Sequence, residues 1–306
     1  MTRSKRVLDG VLLFDKPLQL SSNVALQKVR RLFRAEKAGH TGTLDPLATG
    51  LLPICFGEAT KFTHALLDAD KRYLATVRLG QRTSTGDAEG EVVEQRAVKV
   101  DAEQLHQVLR AFTGVIHQLP PMYSALKYQG KPLYEYFRQG ETVERAARPV
   151  SIHELNLQHW AGDELVLDVR CSKGTYIRTL AEDIGEALGC GAHLAGLRRT
   201  GIGDFHLGDA LTLPQLEAMD EAGRDARLMP LDSLVLNLPK LELDAVQAGR
   251  LAQGQRLALQ DGRPDGRRRM YVAEAFIGLG DLSAGRLSPD RLLSRIAKAA
   301  AGQKST

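Results

Sequence analysis

The residue whose setting most invites chemistry is Asp45. It lies in GHTGTLDPLATG, residues 39–50, framed by Gly39, Gly42, Gly50 and Pro46, residue types that break regular elements and shape loops. Ordering such a loop costs conformational entropy. A carboxylate held there can serve as nucleophile, proton acceptor or electrostatic partner of a developing cation; an Asp-Pro pair in a loop also commonly does no more than cap a turn. Asp15, Asp68 and Asp70 could join Asp45 around a magnesium ion, but their spacing matches no cation-binding loop. The chain has no GxGxxG after a strand, no GxxxxGK[ST], no GxSxG elbow and no histidines at metal-ligand spacing.

The elements around this loop follow from hydrophobic patterning. Gly10–Phe14 (GVLLF) is a continuous apolar run and reads as a buried strand. The turn-rich DKPLQLSSN follows, and Ser22 or Asn23 is expected to cap a helix with Val24, Ala25, Val29, Leu32 and Phe33 inward. The other face carries Lys28, Arg30, Arg31 and Arg34, with Lys37 beyond, charges of one sign that suit either solvent or an anionic partner. After Asp45, LLPICFG reads as a buried strand and EATKFTHALLDA as an amphipathic helix. Tyr73, Ala75, Val77 and Leu79 alternate onto one face of a strand. Asp101–Phe112 reads as a helix capped by Asp101, with Leu105, Val108, Leu109 and Phe112 inward. Leu165, Leu167, Val169 and Cys171 mark another strand. A Ser-Lys-Gly turn and a helix through Ile177, Leu180, Ala181, Ile184 and Leu188 follow, with Arg178 in its first turn and Gly189 at its end.

Residues 120–149 interleave Tyr123, Tyr128, Tyr134 and Tyr136 with Lys127, Lys131 and Arg138. Such a segment either stacks bases and meets phosphates or packs its rings back on the body. Composition changes again near 234–240. The tail carries a helix near Ala245–Leu251, a strand at Met270–Phe276 and three consecutive cations, Arg267, Arg268 and Arg269. It reads as a small unit, residues 238–306, leaning on a larger one, residues 1–237.

Bulk properties narrow the class. The 306 residues, 43% hydrophobic and 25% charged, describe a soluble globular chain with a net charge of only +4. Cys55, Cys171 and Cys190 form no CxxC pair, which argues against a disulfide framework or zinc ribbon and for a reducing cytoplasm. The N-terminal apolar run is too short for a signal-peptide core, and no stretch is long enough to span a bilayer.

Five segments together resemble the TruB family of pseudouridine synthases: GVLLFDKP, GHTGTLDPLATGLLPICFGEATKF, DKRYLATVRLGQRTSTGDAEG, CSKGTYIRTLAEDIG and GAHLAGLRRTGIG. FIGLGDLSAGRLSPDRLL is similar to the end of that family's small PUA-like domain. The resemblance runs through nearly the whole chain in order. It implies an α+β fold with a mixed, largely antiparallel central sheet, flanking helices, an RNA-gripping insertion at about 120–149 and a β-rich C-terminal domain. It further implies conversion of uridine 55 in the tRNA T loop to pseudouridine, with no cofactor, no metal and no obligate protein partner. Asp45 is the catalytic aspartate by this resemblance, Tyr73 the active-site tyrosine and Arg178 the arginine partner, and Lys16, His40, Lys61, Tyr176 and Leu197 contact RNA or base. The target uridine is expected to leave its stack, with His40 filling the space.

Two positions depart from the family pattern. Gln19 stands where DKPxGxxS has a glycine, and Thr43 replaces a smaller residue. Two other functions stay open at this point. One is a non-catalytic RNA-binding or RNA-folding protein on the same fold, which intact Asp45, Tyr73 and Arg178 disfavour. The other is a carboxylate glycosidase, for which the motif offers no second acid.

Overall fold

The structure, a computed structural model, describes residues 4–124, 126–259, 262–294 and 296; the ends of the two expected domains at 1 and 306 lie outside the described residues. In chain order the first half holds β1 (Gly10–Lys16), α1 (Ser22–Leu32), β2 (Ala38–His40), β3 (Ala48–Phe56), α2 (His64–Leu67), β4 (Lys71–Leu79), β5 (Gln81–Thr83), β6 (Val92–Gln95), α3 (Ala102–Ala111) and β7 (Gly114–Gln118). Then come β8 (Lys127–Tyr128), β9 (Lys131–Pro132), α4 (Leu133–Arg138), β10 (Arg148–Ala161), β11 (Glu164–Cys171), α5 (Ile177–Ala187), β12 (Ala192–Ile202) and β13 (Phe205–His206). The last part holds α6 (Leu213–Ala218), α7 (Glu221–Asp225), β14 (Lys240–Glu242), α8 (Ala245–Ala252), β15 (Leu257–Ala258), β16 (Gly266–Val272), β17 (Ala275–Ser283) and β18 (Arg286–Leu292).

The main sheet runs β1-β3-β12-β4-β11-β10-β7, with β2 on β3 and β13 on β12. Its pairs are antiparallel except β12 with β3. The fold is therefore α+β around a mixed, largely antiparallel sheet, as expected. The parallel pair sets the centre of the molecule. Leu197 lies opposite Ala48 on one side and Ala75 on the other, and Arg199 lies between Gly50 and Tyr73. Gly50 has φ +100°, and a Cβ there would sit 2.3 Å from the Arg199 carbonyl oxygen. Only glycine lets these two strands come so close.

The buried alternation Ala75, Val77, Leu79 on β4 and Leu165, Leu167, Val169 on β11 packs against Ile177, Leu180, Ala181 and Ile184 of α5. This core fixes where the first turn of α5, and hence Arg178, begins. A second core joins the two parts of the chain. Val11, Leu51, Cys55 and Phe62 pack with Tyr271, Phe276 and Leu279 of the five-stranded sheet β14-β16-β17-β18-β15 and with Leu293 just beyond β18.

Several expectations need correction. Ser21, not Ser22 or Asn23, caps α1, its hydroxyl accepting from the Val24 amide; Val24 is exposed, and Leu26 takes the inward place beside Ala25 and Val29. Residues 39–40 and 48–50 of the expected loop are strand, which leaves 41–47 as the loop proper. EATKFTHALLDA is a 3-10 turn at Gly57–Lys61 followed by the single turn of α2. Met270–Phe276 is not one strand, because the chain reverses at Ala273 and Glu274, both with positive φ. Arg268 is buried on backbone carbonyls, Arg269 donates to Leu238 O at 2.8 Å, and Arg267 is paired with Asp290. The three are built into the C-terminal unit and do not form a free basic strip.

On α1, Arg30 caps carbonyls of residues 35 and 36 and Arg34 pairs with Glu221, while Lys28 and Arg31 are exposed. In the arm, Tyr123 meets Phe137 at 5.7 Å and Tyr128 meets Tyr136 at 6.0 Å. The rings thus pack on one another, and Tyr128 still leaves 42% of its surface exposed.

Candidate active site

A cavity of about 320 Å3 opens beside the 41–47 loop, with Asp45, Tyr73, Tyr176, Arg178 and Leu197 in its wall. A larger cavity, about 700 Å3, lies elsewhere between β1 and the 226–237 segment; its wall is chiefly leucine and alanine. The smaller cavity is the candidate site, because a carboxylate and a guanidinium meet in its wall.

Arg178 joins the loop to the sheet. Its Nη2 is 3.1 Å from Asp45 Oδ2, and its Nη1 is 3.3 Å from Asp87 Oδ2. It also donates to Tyr123 O at 2.6 Å and lies over the Tyr123 ring at 5.4 Å. The Arg178 side chain is 8% exposed whereas Asp45 keeps 44%. The cation is therefore fixed inside, and the carboxylate faces the open space. Burial pushes the Asp45 carboxyl above the usual range; Arg178 opposes that push, Asp87 adds to it, and Lys16 opposes it.

Asp87 escaped sequence reasoning. It is 1% exposed and is held by the Thr85 hydroxyl at 2.6 Å and the Glu89 amide at 3.1 Å. Nothing in its spacing marks it, although it sits within the TSTGD run. Arg199 also escaped. It is 1% exposed, donates to Leu51 O at 2.8 Å and Gly42 O at 3.2 Å, and lies opposite Tyr73 across the β12–β4 pair. It is a buried cation that ties the loop's first residues to β3 and sits under the tyrosine. Burial raises the Tyr73 hydroxyl above its ordinary pKa, with Arg199 pulling the other way. Tyr73 is a neutral phenol at neutral pH.

The other expected residues divide. Tyr176 precedes α5, its backbone clasped by the Gln118 amide through bonds of 3.0 and 3.2 Å. Leu197 faces the cavity from β12. Lys16 stands behind the loop, fully buried, donating to Pro17 O at 2.9 Å and Leu20 O at 2.6 Å; burial lowers its pKa to about 8. His40 is on β2 outside the cavity wall, and burial with Arg199 nearby keeps it below its ordinary pKa. Lys61 is not brought to the site. It bonds Glu58, Leu292 O and Ser294 at 2.9 Å each, where the C-terminal unit meets the body.

Gln19, the departure from glycine, adopts φ +65° and donates its amide to Pro46 O at 2.9 Å. The loop conformation is kept despite the side chain.

Three family models match most of this chain: TruB family pseudouridylate synthase, N-terminal domain, over residues 30–177; the tRNA pseudouridylate synthase B C-terminal domain over 178–236; and pseudouridine synthase II TruB, C-terminal, over 239–293. The chain belongs to the TruB family of pseudouridylate synthases. A tRNA pseudouridine synthase B from Aromatoleum aromaticum is 57% identical over 296 residues, covering 96% of each chain. One from Burkholderia mallei is 57% identical over 297 residues, covering 95% of this chain and 98% of the other. Among solved structures, a Cbf5-Nop10-Gar1 complex aligns with a TM-score of 0.71 at 25% identity, over 94% of this chain and 85% of the other. An H/ACA RNP bound to a substrate RNA containing 2'-deoxyuridine aligns at 0.70 and 24% identity, over 94% and 85%, and shares the fold. This TruB family member is a pseudouridine synthase. Among its described residues no helix is long and apolar enough to cross a membrane.

Proposed function

We propose that the chain converts uridine 55 in the T loop of tRNA to pseudouridine, with Asp45 acting at the glycosidic centre. The observation that carries this is the Asp45–Arg178 pair at 3.1 Å, its carboxylate facing a cavity walled by Tyr73, Tyr176 and Leu197. The relatives' names support tRNA as the substrate.

The reaction is an isomerisation. The bond from N1 of uracil to C1′ breaks, the base turns, C5 bonds to C1′, the C5 proton leaves and N1 gains one. Asp45, kept ionised by Arg178, faces the positive charge that develops at C1′, as nucleophile or as counter-charge. Tyr73 covers the base, and its hydroxyl lies at hand for the C5 proton. A base inside a folded loop cannot show both edges to these groups, so the target nucleotide enters the cavity extruded. Exposed Lys28, Arg31 and the arm's cations supply phosphate contacts. Residues 1–237 act as the catalytic domain and 238–306 as an accessory RNA-binding domain. The three cysteines are buried free thiols, which suits a reducing cytoplasm.

Tritium release from tRNA labelled at C5 of uridine tests the activity, and mapping of the product tests the position. Asp45→Asn should lower turnover at least about a thousandfold while tRNA still binds. Appreciable turnover by the Asn variant removes Asp45 from the reaction.

A further inference from the structure

α5 begins without the usual means of holding a helix end. Its N-cap is Tyr176, whose side chain makes no capping bond, and its first turn holds no acidic residue. The free N–H groups of a helix start favour an acceptor or a negative charge there. The turn carries a buried cation instead, Arg178, at the end of the helix least suited to one. Where that turn sits decides where the guanidinium meets Asp45, so something outside the helix must hold it.

Gln118, the last residue of β7, does so. It is 2% exposed. Its Oε1 accepts the Tyr176 amide at 3.0 Å, and its Nε2 donates to the Tyr176 carbonyl at 3.2 Å. The same carbonyl accepts the Leu180 amide at 3.0 Å, the first bond of the helix. In a capping box a glutamate or glutamine at the third helical position bonds the N-cap amide. Here a glutamine 58 residues away in sequence takes that part. Gln118 is pinned in turn, because β7 pairs with β10 and sets it opposite Arg148. Beyond it Pro120 and Pro121 fix two backbone angles. They lead to Tyr123, whose carbonyl accepts from Arg178 at 2.6 Å and whose ring lies 5.4 Å from the guanidinium. Segment 118–123 therefore holds both the backbone at the start of α5 and the side chain two residues on.

We propose that Gln118 is a positioning residue for the reaction: by fixing the Tyr176 backbone it sets the first turn of α5, and so the place of Arg178 against Asp45. This rests on the roles given to Asp45 and Arg178 above. The Asp45 carboxyl is faced by Arg178 from α5, by Asp87 and Glu89 from the loop after β5, and by Lys16 from the end of β1. Loss of Gln118 loosens only the first of these. The pull of Arg178 then weakens while burial and Asp87 still push, and the carboxyl titrates at higher pH.

The test compares wild type, Gln118→Met, Arg178→Met and the double variant. Single-turnover tritium release, tRNA affinity and melting temperature are measured for each, and a crystal structure is taken of Gln118→Met. Methionine keeps the volume and removes both bonds. The single-turnover rate of Gln118→Met should fall about a hundredfold, with tRNA affinity close to wild type. Its acid limb should move to higher pH, and the Arg178–Asp45 contact should open in the crystal. In the Arg178→Met background the same change should cost almost nothing further, because both substitutions break one route. Additive losses, or a lowered melting temperature with rate and acid limb unchanged, would make Gln118 a purely structural residue and overturn the proposal. Lost turnover with the Arg178–Asp45 contact intact would overturn it too. Should Gln118→Met fail to fold, Gln118→Asn, one methylene too short to make both bonds, takes its place in every measurement. A wild type that releases no tritium refutes the proposed function, and the crystal structure then still decides whether Gln118 holds Arg178.

Discussion

Ser22 and Leu44 exchange two hydrogen bonds: the Ser22 hydroxyl accepts the Leu44 amide at 2.7 Å and donates to the Leu44 carbonyl at 2.8 Å. Ser22 is 2% exposed and Leu44 precedes Asp45. The first turn of α1 therefore holds the reactive loop by its backbone. Arg199 on Gly42 O and the Gln19 amide on Pro46 O hold it on either side. The β1–α1 segment and β12, each distant in sequence from it, thus fix seven loop residues.

Ser22→Ala strands both Leu44 groups without their partner. It should cost about 1–3 kcal/mol of stability, read by urea unfolding. Turnover should fall more than KM rises, since the carboxylate loses its aim while the cavity wall stays. Unchanged turnover would show that the other two ties suffice.

Gln19 sits at φ +65°, a conformation that costs a residue with a Cβ about 1–2 kcal/mol. Glycine loses more chain entropy on folding, which takes back part of that. Gln19→Gly should therefore stabilise the protein by up to about 1 kcal/mol, with pseudouridine formation unaltered. A destabilised variant would mean that the glutamine side chain makes contacts worth more than the backbone strain.

Much of this frame was legible in the chain, and the failures have common physical causes. Alternation in β4 and β11 and the apolar stripe of α5 read correctly, because each buries one face against a single core. Ala59, Phe62 and Leu66 are buried at helix-like spacing, yet Gly57 at φ +52° starts a 3-10 turn and only the single α-helical turn of α2 follows. The reversal at Ala273–Glu274 carries no glycine or asparagine to announce it. Asp87 and Arg199 have meaning only through partners brought in by the sheet. A buried ion pair between distant segments leaves no local periodicity. Asp45 and Arg178 share that property, and only the family resemblance singled them out together.

The pH dependence follows from the same pair. Burial holds the Asp45 carboxyl above the ordinary range, Arg178 pulls it down, and Asp87 pushes it up. The role proposed for Asp45 needs the ionised form, so turnover should fall as pH drops through this pKa. Asp87→Asn removes a repelling charge, favours ionisation, and should move the acid limb of kcat to lower pH. Arg178→Met removes the attracting charge and should move the limb of its residual activity to higher pH. Single-turnover rates across the acid range check both signs, and parallel limbs in all three proteins would detach Asp45 from the titration.

Tyr73 separates stacking from proton transfer. It lies in register between Val169 and Arg199, with its ring in the cavity wall. Arg199, opposite it on β12, pulls the hydroxyl's pKa down against the larger push of burial and is itself locked to Leu51 O and Gly42 O. The net shift is upward, so the hydroxyl is neutral at working pH. A neutral phenol can receive the C5 proton only as it passes its own on. Tyr73→Phe keeps the ring and removes that route. Turnover should drop by about 10²–10⁴, with tRNA affinity close to wild type. A 2-aminopurine beside the target should still brighten on binding, because extrusion depends on the ring. Tyr73→Leu should lose the fluorescence rise as well, since no aromatic face remains to cover the extruded base. A Phe variant within a few-fold of wild type would leave the C5 proton to Asp45 or solvent and confine Tyr73 to stacking.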